Sequence, residues 1–268
     1  MRSAEGRNIS NNNRGVALLI ALLVTTLLMA LIVEFAYGTR VSLRAAVNFR
    51  DSQRAYFLAR SGVNFAGKIL AENLKNGKLQ DNLEQREWQV VPIVSEGDTE
   101  LRVRWEDEAG KINIAPPFYN NNQDWFGELL FNTVVSQEVV DKIKDATGNK
   151  VYLLGQLHQV MSDEEYGKVQ DFLTTYSAGA INVNTATETV LRSVLKGKIA
   201  TPDFIMMKRK DKPIPDLGGM DINNERYSTT SNTFFVQSYA TVGGYTKKAE
   251  AMITRHSGGF TVQYWKIL

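Results

Sequence analysis

The chain opens on a polar leader and then changes character abruptly. Met1 to Arg14 carries Arg2, Arg7 and Arg14; a lone Gly15 follows, and 18 uncharged residues run unbroken from Val16 to Val33. Twelve of those 18 are Leu, Ile or Val, each worth roughly 0.3 to 0.6 kcal/mol at a bilayer centre. The run is therefore expected to insert as a helix at the lower edge of spanning length, with the preceding arginines keeping the N-terminus cytoplasmic. Past Tyr37 the pattern turns amphipathic. Arg40, Arg44, Arg50 and Arg54 fall within an arc of about 120° at helical spacing, while Val47, Phe57, Ala59, Val63, Phe65, Ile69 and Leu70 supply apolar surface. Asn76-Gly77 gives a stop. One continuous helix from about residue 16 to 75 is predicted, its arginines a solvated face beside the membrane rather than a phosphate site.

Alternation with period two takes over next. Trp88 to Val94 and Thr99 to Asp107 are predicted strands joined by a turn at Glu96-Gly97; in the second, Leu101, Val103 and Trp105 face one way and Glu100, Arg102 and Arg104 the other. Lys111 to Ile114 is a candidate third strand. At the far end Thr233 to Val242, Lys247 to Arg255 and Phe260 to Ile267 form a predicted meander, with turns at Gly243-Gly244 and Gly258-Gly259. The two blocks are expected to make one antiparallel sheet packed on the soluble half of the long helix. Between them, residues 115–230 are predominantly helical in pattern. Asp124 to Ala146 has helical periodicity, and capping boxes at Ser162–Glu165 and Thr185–Glu188 open helices to about Thr175 and Leu195. Thr201-Pro202 opens a third, and Pro213 to Asn232 is predicted to be a return loop.

Composition excludes several chemistries. There is no cysteine among the 268 residues, hence no disulfide frame and no thiolate nucleophile, and only His158 and His256 are available as imidazoles. His158 lies in an apolar helical stretch and is expected to be packed; His256 sits at a strand end beside glycines. No nucleophile elbow, phosphate loop or metalloprotease helix is present, so an enzyme is not expected. The net charge of +2 argues neither for nor against nucleic acid.

The leader has three readings. Ala36-Tyr37-Gly38 offers a secretory cleavage site, but the apolar run is long for a signal peptide. A signal anchor fits the hydrophobicity but gives Gly15 no role. The third reading is a leader cut on the cytoplasmic side, between Gly15 and Val16, which resembles a type IV prepilin processed by its peptidase.

Three further segments carry a more specific resemblance. Asp107 to Ile114 (DEAGKINI) is similar to the "D-E-x-G-K-I-N-hydrophobic" strand of the type II secretion minor pseudopilin K family. Leu153 to Thr175, with its QLHQVMS core, is similar to that family's "E-L-x-x-V-x-G-M" helix. Ile181 to Ala186 (INVNTA), followed by Val190-Leu191, resembles its "I-N-hydrophobic-N-T-A…V-L" signature. The resemblance spans nearly the whole chain and marks Asp107, Gly110, Lys111, Asn113, Asn182, Asn184, Thr185 and Ala186 as signature residues. It implies an α+β, pilin-like fold: a long N-terminal helix packed on an antiparallel sheet, with a mostly helical subdomain inserted in the sheet. The division is then 1–15 leader, 16–37 transmembrane and assembly half of the helix, 38–114 soluble helix half and first strands, 115–230 inserted subdomain and return loop, and 231–268 closing strands.

The fifth residue after the implied cut is Ile20. Pilin-like subunits resemble one another in carrying glutamate there, and a carboxylate in hydrocarbon is costly unless paired. The K family is similar to this chain in lacking it, which implies a place at the tip of the fibre. The resemblance also implies the partners: I- and J-type minor pseudopilins, the major pseudopilin, the prepilin peptidase and the inner-membrane assembly platform, with the C-terminal domain periplasmic. The family's acidic stretch before the QLHQVMS segment is reduced here to Asp124-Trp125, and transfer of a family calcium site does not follow.

Two rival readings remain. Residues 181–215 resemble the start of a helix-hairpin-helix module and hold seven Lys/Arg against three Asp/Glu, but the turn at Lys196 to Ile199 lacks the second glycine such hairpins use on phosphate. A membrane-anchored DNA receptor is the alternative from another class, and a type IV pilus minor pilin the alternative within the same one; nucleic acid is not the expected partner. Asp216, Asp221, Asn223 and Glu225 offer oxygen ligands for calcium, though their spacing lacks the glycine of an EF-hand loop and such residues also serve turns.

Overall fold

The computed structural model describes residues 10–77, 83–92, 98–116, 118–133, 138–139, 142–143, 151–196, 200–222 and 225–268. The predicted helix is present as α1 (Ser10–Lys75). Chain contacts divide the molecule into two compact units, Met1–Gln53 and Arg54–Leu268.

In the first unit the apolar run lies wholly on the outside. Its most apolar 18 residues have a mean hydropathy of 3.0 and none of that window is buried, so the helix is long and apolar enough to cross a membrane. The hydroxyls of Thr25 and Thr26 donate to the carbonyls of Leu22 and Leu23, each at 2.9 Å. Their polarity is thus satisfied inside the helix, as hydrocarbon demands. Arg40, Arg44 and Arg50 are exposed, as is Arg54 at the start of the second unit, matching the expected solvated face.

In the second unit α1 buries Ala55, Ala59, Val63, Ala66 and Leu70, which recur every three or four residues and so form one stripe. Downstream come strands β1 (Gln89–Val90), β2 (Thr99–Asp107), β3 (Ile112–Asn113), β4 (Leu173–Thr174), β5 (Ile181–Asn182), β6 (Tyr227–Ser228), β7 (Thr233–Val242), β8 (Tyr245–His256) and β9 (Gly259–Ile267). The expected sheet forms from both β blocks in the order β1-β2-β7-β8-β9, every pair antiparallel. Gly243 and Gly244 take φ of +55° and +85°, the left-handed pair that a two-residue hairpin turn between β7 and β8 requires. The predicted alternation in β2 holds: Leu101, Val103 and Trp105 meet Phe234, Val236, Ala240, Ala249, Ala251 and Ile253 over the α1 stripe. Helix and sheet approach closely because α1 carries glycine at the contact. A Cβ on Gly62 would meet Ser238 Oγ and, at 3.0 Å, Leu101 Cδ1; one on Gly67 would meet the Phe260 ring at 2.7 Å.

The segment between β2 and β7 builds a second core around Trp125, Phe126, Leu129, Leu157, Val190, Leu191 and Ile205. Several boundaries differ from expectation. Helix α2 (Tyr119–Asn132) begins and ends earlier than the 124–146 pattern; it stops where Thr133 donates its N–H and hydroxyl back to Leu129. The capping box at Ser162 is present, with reciprocal bonds to Glu165, but its helix runs only Asp163–Val169 before a 3₁₀ turn leads into β4. The next helix, Glu188–Val194, is capped by Thr187 rather than Thr185. Thr201 caps Pro202–Lys208 as expected. β3 is not part of the large sheet: it pairs in parallel with β4, and β5 pairs in parallel with β6, so the return segment after Pro213 contains a strand. The turn expected at Glu96-Gly97 lies outside the described residues.

Candidate functional site: the joint beneath the inserted subdomain

β2 ends on Asp107, and there the chain leaves the sheet through a single 3₁₀ turn, Glu108–Gly110. Asp107 Oδ1 accepts the Ala109 N–H at 2.8 Å and so caps that turn. The other oxygen, Oδ2, accepts from Asn182 Nδ2 and from Thr185 Oγ1, both at 2.7 Å. One buried carboxylate therefore ties the end of a sheet strand to a segment more than seventy residues away. This explains the shifted cap: the Thr185 hydroxyl is engaged by Asp107, and Thr187, two residues on, is left to accept from Val190 N.

The asparagines continue the network. Asn182 Oδ1 accepts the Asn184 N–H at 3.1 Å. Asn184 in turn donates to the carbonyls of Ile214 and Thr229 at 2.9 and 3.0 Å and accepts Ile214 N–H at 2.8 Å, binding two points of the return segment. Asn113 donates to Ser177 O and accepts from Ala115 N, while its own carbonyl takes Asn122 Nδ2 from α2. Each asparagine offers donor and acceptor on one short side chain, which is what irregular backbone needs once buried.

Beside this lies an ionic cluster. Lys111 Nζ sits 2.7 Å from Glu108 Oε1 and 3.5 Å from Glu106 Oε2; Glu108 Oε2 also accepts the Thr174 hydroxyl, and Arg86 reaches Glu106 at 3.0 Å. Burial works against the Lys111 charge, but Glu108 and Glu106 outweigh it and raise its pKa above the ordinary lysine value. Gly110 is obligatory here, since a Cβ would come within 2.9 Å of the Thr185 backbone. All eight signature residues, Asp107, Gly110, Lys111, Asn113, Asn182, Asn184, Thr185 and Ala186, are buried in this joint. Its partners Arg86, Glu106, Glu108 and Thr174 were not singled out from sequence. Thr174 stands 66 residues from Glu108, and no local spacing announces such a pair.

The other candidates lie apart. Gly15, Val16 and Ile20 are on the exposed apolar stretch of α1. Asp216 Oδ1 accepts Gly218 N–H at 2.8 Å, a turn-forming bond, and Asp221 has a positive φ of +43°. Asn223 is outside the described residues, and Glu225 borders a groove with Arg226 and Phe118. Among the described residues no three His, Asp or Glu side chains gather as a metal-holding group. In the hairpin region Arg192 is paired with Glu188 and Asp203, Lys196 with Glu128, and Arg209 donates to Val183 O; the turn at 197–199 lies outside the described residues. Three of its six described cations thus bond to carboxylates or a carbonyl, and Lys208 lies over the Phe204 ring at 5.7 Å from the centroid. His158 is not packed in the core: it is exposed, with its ring 3.9 Å from that of Tyr166 and Nδ1 3.2 Å from Asp163. The short 3₁₀ helix Leu154–Gln159 buries Leu157 and leaves its neighbour outside.

A long N-terminal helix, apolar in its first half and packed on an antiparallel sheet through its second, with a helical subdomain inserted between strands, defines a pilin-like fold. Among solved structures the chain is similar to a chain of the GspK-GspI-GspJ complex from the enterotoxigenic Escherichia coli type 2 secretion system. The two share 16% identity at a TM-score of 0.64, over 84% of this chain and 99% of that one. No family model and no curated protein matches the chain.

Proposed function

We propose that the protein is a minor pseudopilin of a type II secretion system, of the K type, which caps the periplasmic pseudopilus and helps to nucleate it. The observation that carries this reading is the likeness of fold to nearly the full length of a chain of the GspK-GspI-GspJ complex, over 84% of this chain. I- and J-type minor pseudopilins are the partners in the tip complex, with the major pseudopilin and the assembly platform below. The apolar stretch of α1 holds the chain in the inner membrane, N-terminus inside, until it packs with other subunits' helices in the fibre. Ile20 fits a subunit with nothing stacked above it: no amine waits there to be neutralised, and a glutamate would be an unpaired charge in an apolar setting. The buried joint sets the inserted subdomain rigidly on the sheet, so that the tip presents one fixed surface to cargo or channel. The work is mechanical, and no catalytic step is assigned.

Processing tests the reading. Co-expressed with a prepilin peptidase, the chain is expected to acquire Val16 as its N-terminus, seen by intact mass and N-terminal sequencing, and to stay uncut without the enzyme or as Gly15→Val. A cut after Gly38, or no cut with an active peptidase, sinks the proposal.

A further inference from the structure

The outer face of the large sheet, turned away from α1, holds a guanidinium that its neighbours do not neutralise. Of the acids nearby, Glu100 is paired with Arg102 at 2.7 Å, Glu106 with Arg86 at 3.0 Å and Glu250 with Lys248 at 2.5 Å, while Asp171 borders one groove beside Arg104 without forming an ion pair with it. Arg104, half-buried on β2, has instead a neutral partner. Its Nε donates to Gln237 Oε1 at 2.7 Å, and its guanidinium lies over the Trp88 ring at 4.6 Å from the centroid. Among the described residues no carboxylate pairs with it.

The setting is pre-organised. Gln237 donates its Nε2 to Glu250 Oε1 at 2.9 Å, which fixes the amide with its oxygen toward Arg104. Trp88 stands edge-on to Tyr239, with centroids 4.9 Å apart and planes at 83°. The guanidinium plane is therefore set by a ring on one side and an amide on the other. With Nε engaged, the donors on both Nη atoms make no hydrogen bond to another of the described residues. Arg104 also borders two grooves at once, one of about 420 Å³ walled by Trp88 and Tyr239, the other of about 390 Å³ bordered by Phe235. A fixed guanidinium fork is the geometry that takes a carboxylate through two parallel bonds, and aromatic walls on both sides accept apolar groups beside it.

We propose that Arg104, held between Trp88 and Gln237, anchors a docking groove for an extended acidic segment of a partner protein, with a Glu or Asp carboxylate on the guanidinium and apolar side chains against Trp88 and Phe235. The pairing is attractive because no carboxylate of the described residues meets the Arg104 guanidinium, and because a half-buried charge gains more from a partner than an exposed one.

The test uses the full-length chain in detergent micelles, titrated calorimetrically with an acetylated and amidated peptide of alternating glutamate and valine, its lysine counterpart, and glutarate. Saturable binding of the acidic peptide is expected, with none of the lysine peptide. Arg104→Gln should weaken it at least about tenfold, and Arg104→Lys, which keeps charge but not the fork, should recover only part. Thermal unfolding checks that both variants fold. Absence of saturable binding, equal binding by a folded Arg104→Gln, or glutarate binding as tightly as the peptide each overturns the proposal; the last would point to a free dicarboxylate.

Discussion

Asp107→Ala is expected to lower the stability of the folded domain by about 3 kcal/mol or more and to loosen the inserted subdomain first. Three donors converge on that carboxylate: Ala109 N–H, Asn182 Nδ2 and Thr185 Oγ1, at 2.7 to 2.8 Å. The site is buried, so water does not replace what is lost, and each orphaned donor costs roughly 1 to 3 kcal/mol. The terms are not additive, because Thr185 can turn toward the Asn182 carbonyl, already 3.5 Å away. Asp107→Asn is no rescue: its amide NH₂ would face at least one of the same donors. Urea unfolding gives the magnitude, and hydrogen exchange at residues 181–186 gives the place. A change within about 0.5 kcal/mol, the range of ordinary surface substitutions, would show that the joint is not held by this carboxylate.

Gly62→Leu is the second large effect. The stripe of α1 that meets the sheet carries Ala59 and Ala66 among larger residues, and a Cβ added at Gly62 would run into Ser238 Oγ and Leu101. A leucine there has no space to enter without pushing helix and sheet apart, and overpacking of this kind costs about 1 to 3 kcal/mol or more. A matched control exists in α2, where a Cβ on Gly127 meets nothing within 4 Å. Gly127→Ala should be neutral or stabilising by up to about 1 kcal/mol, from helix propensity alone. If both glycines behaved alike under urea, close approach would not be what α1 requires at residue 62.

These effects also mark what could be seen in the chain beforehand. The long helix, the strands of the large sheet and the caps at Ser162 and Thr201 follow from patterns a few residues long, and such patterns are legible. The glycine turns of the meander belong with them. The short strands β4 and β6 do not, nor do the parallel pairings of β3, which falls within the strand expected at Lys111 to Ile114, and of β5: nothing in their own residues shows the distant partner. The cap at Thr187 was missed for the same reason, since Thr185 has the better local pattern but its hydroxyl is claimed by Asp107 from across the fold. Helix α2 outran its pattern in the other direction, starting before Asp124. The signature residues could be picked out through family resemblance, yet their task becomes clear only in three dimensions, where all are buried and Asp107 joins Asn182 and Thr185 across the fold. Arg104 is the reverse case. Its alternation in β2 placed it on the outer face, but only the pairing of Glu100 with Arg102 and of Glu106 with Arg86 reveals that its strand neighbours leave it without a carboxylate.

The most direct check of the assembly reading is native mass spectrometry of the processed chain co-purified with I- and J-type minor pseudopilins from its own source. An equimolar ternary complex, formed without the major pseudopilin, is the expected result. Recovery of this chain alone, or bound only to the major pseudopilin, would contradict a place at the fibre tip.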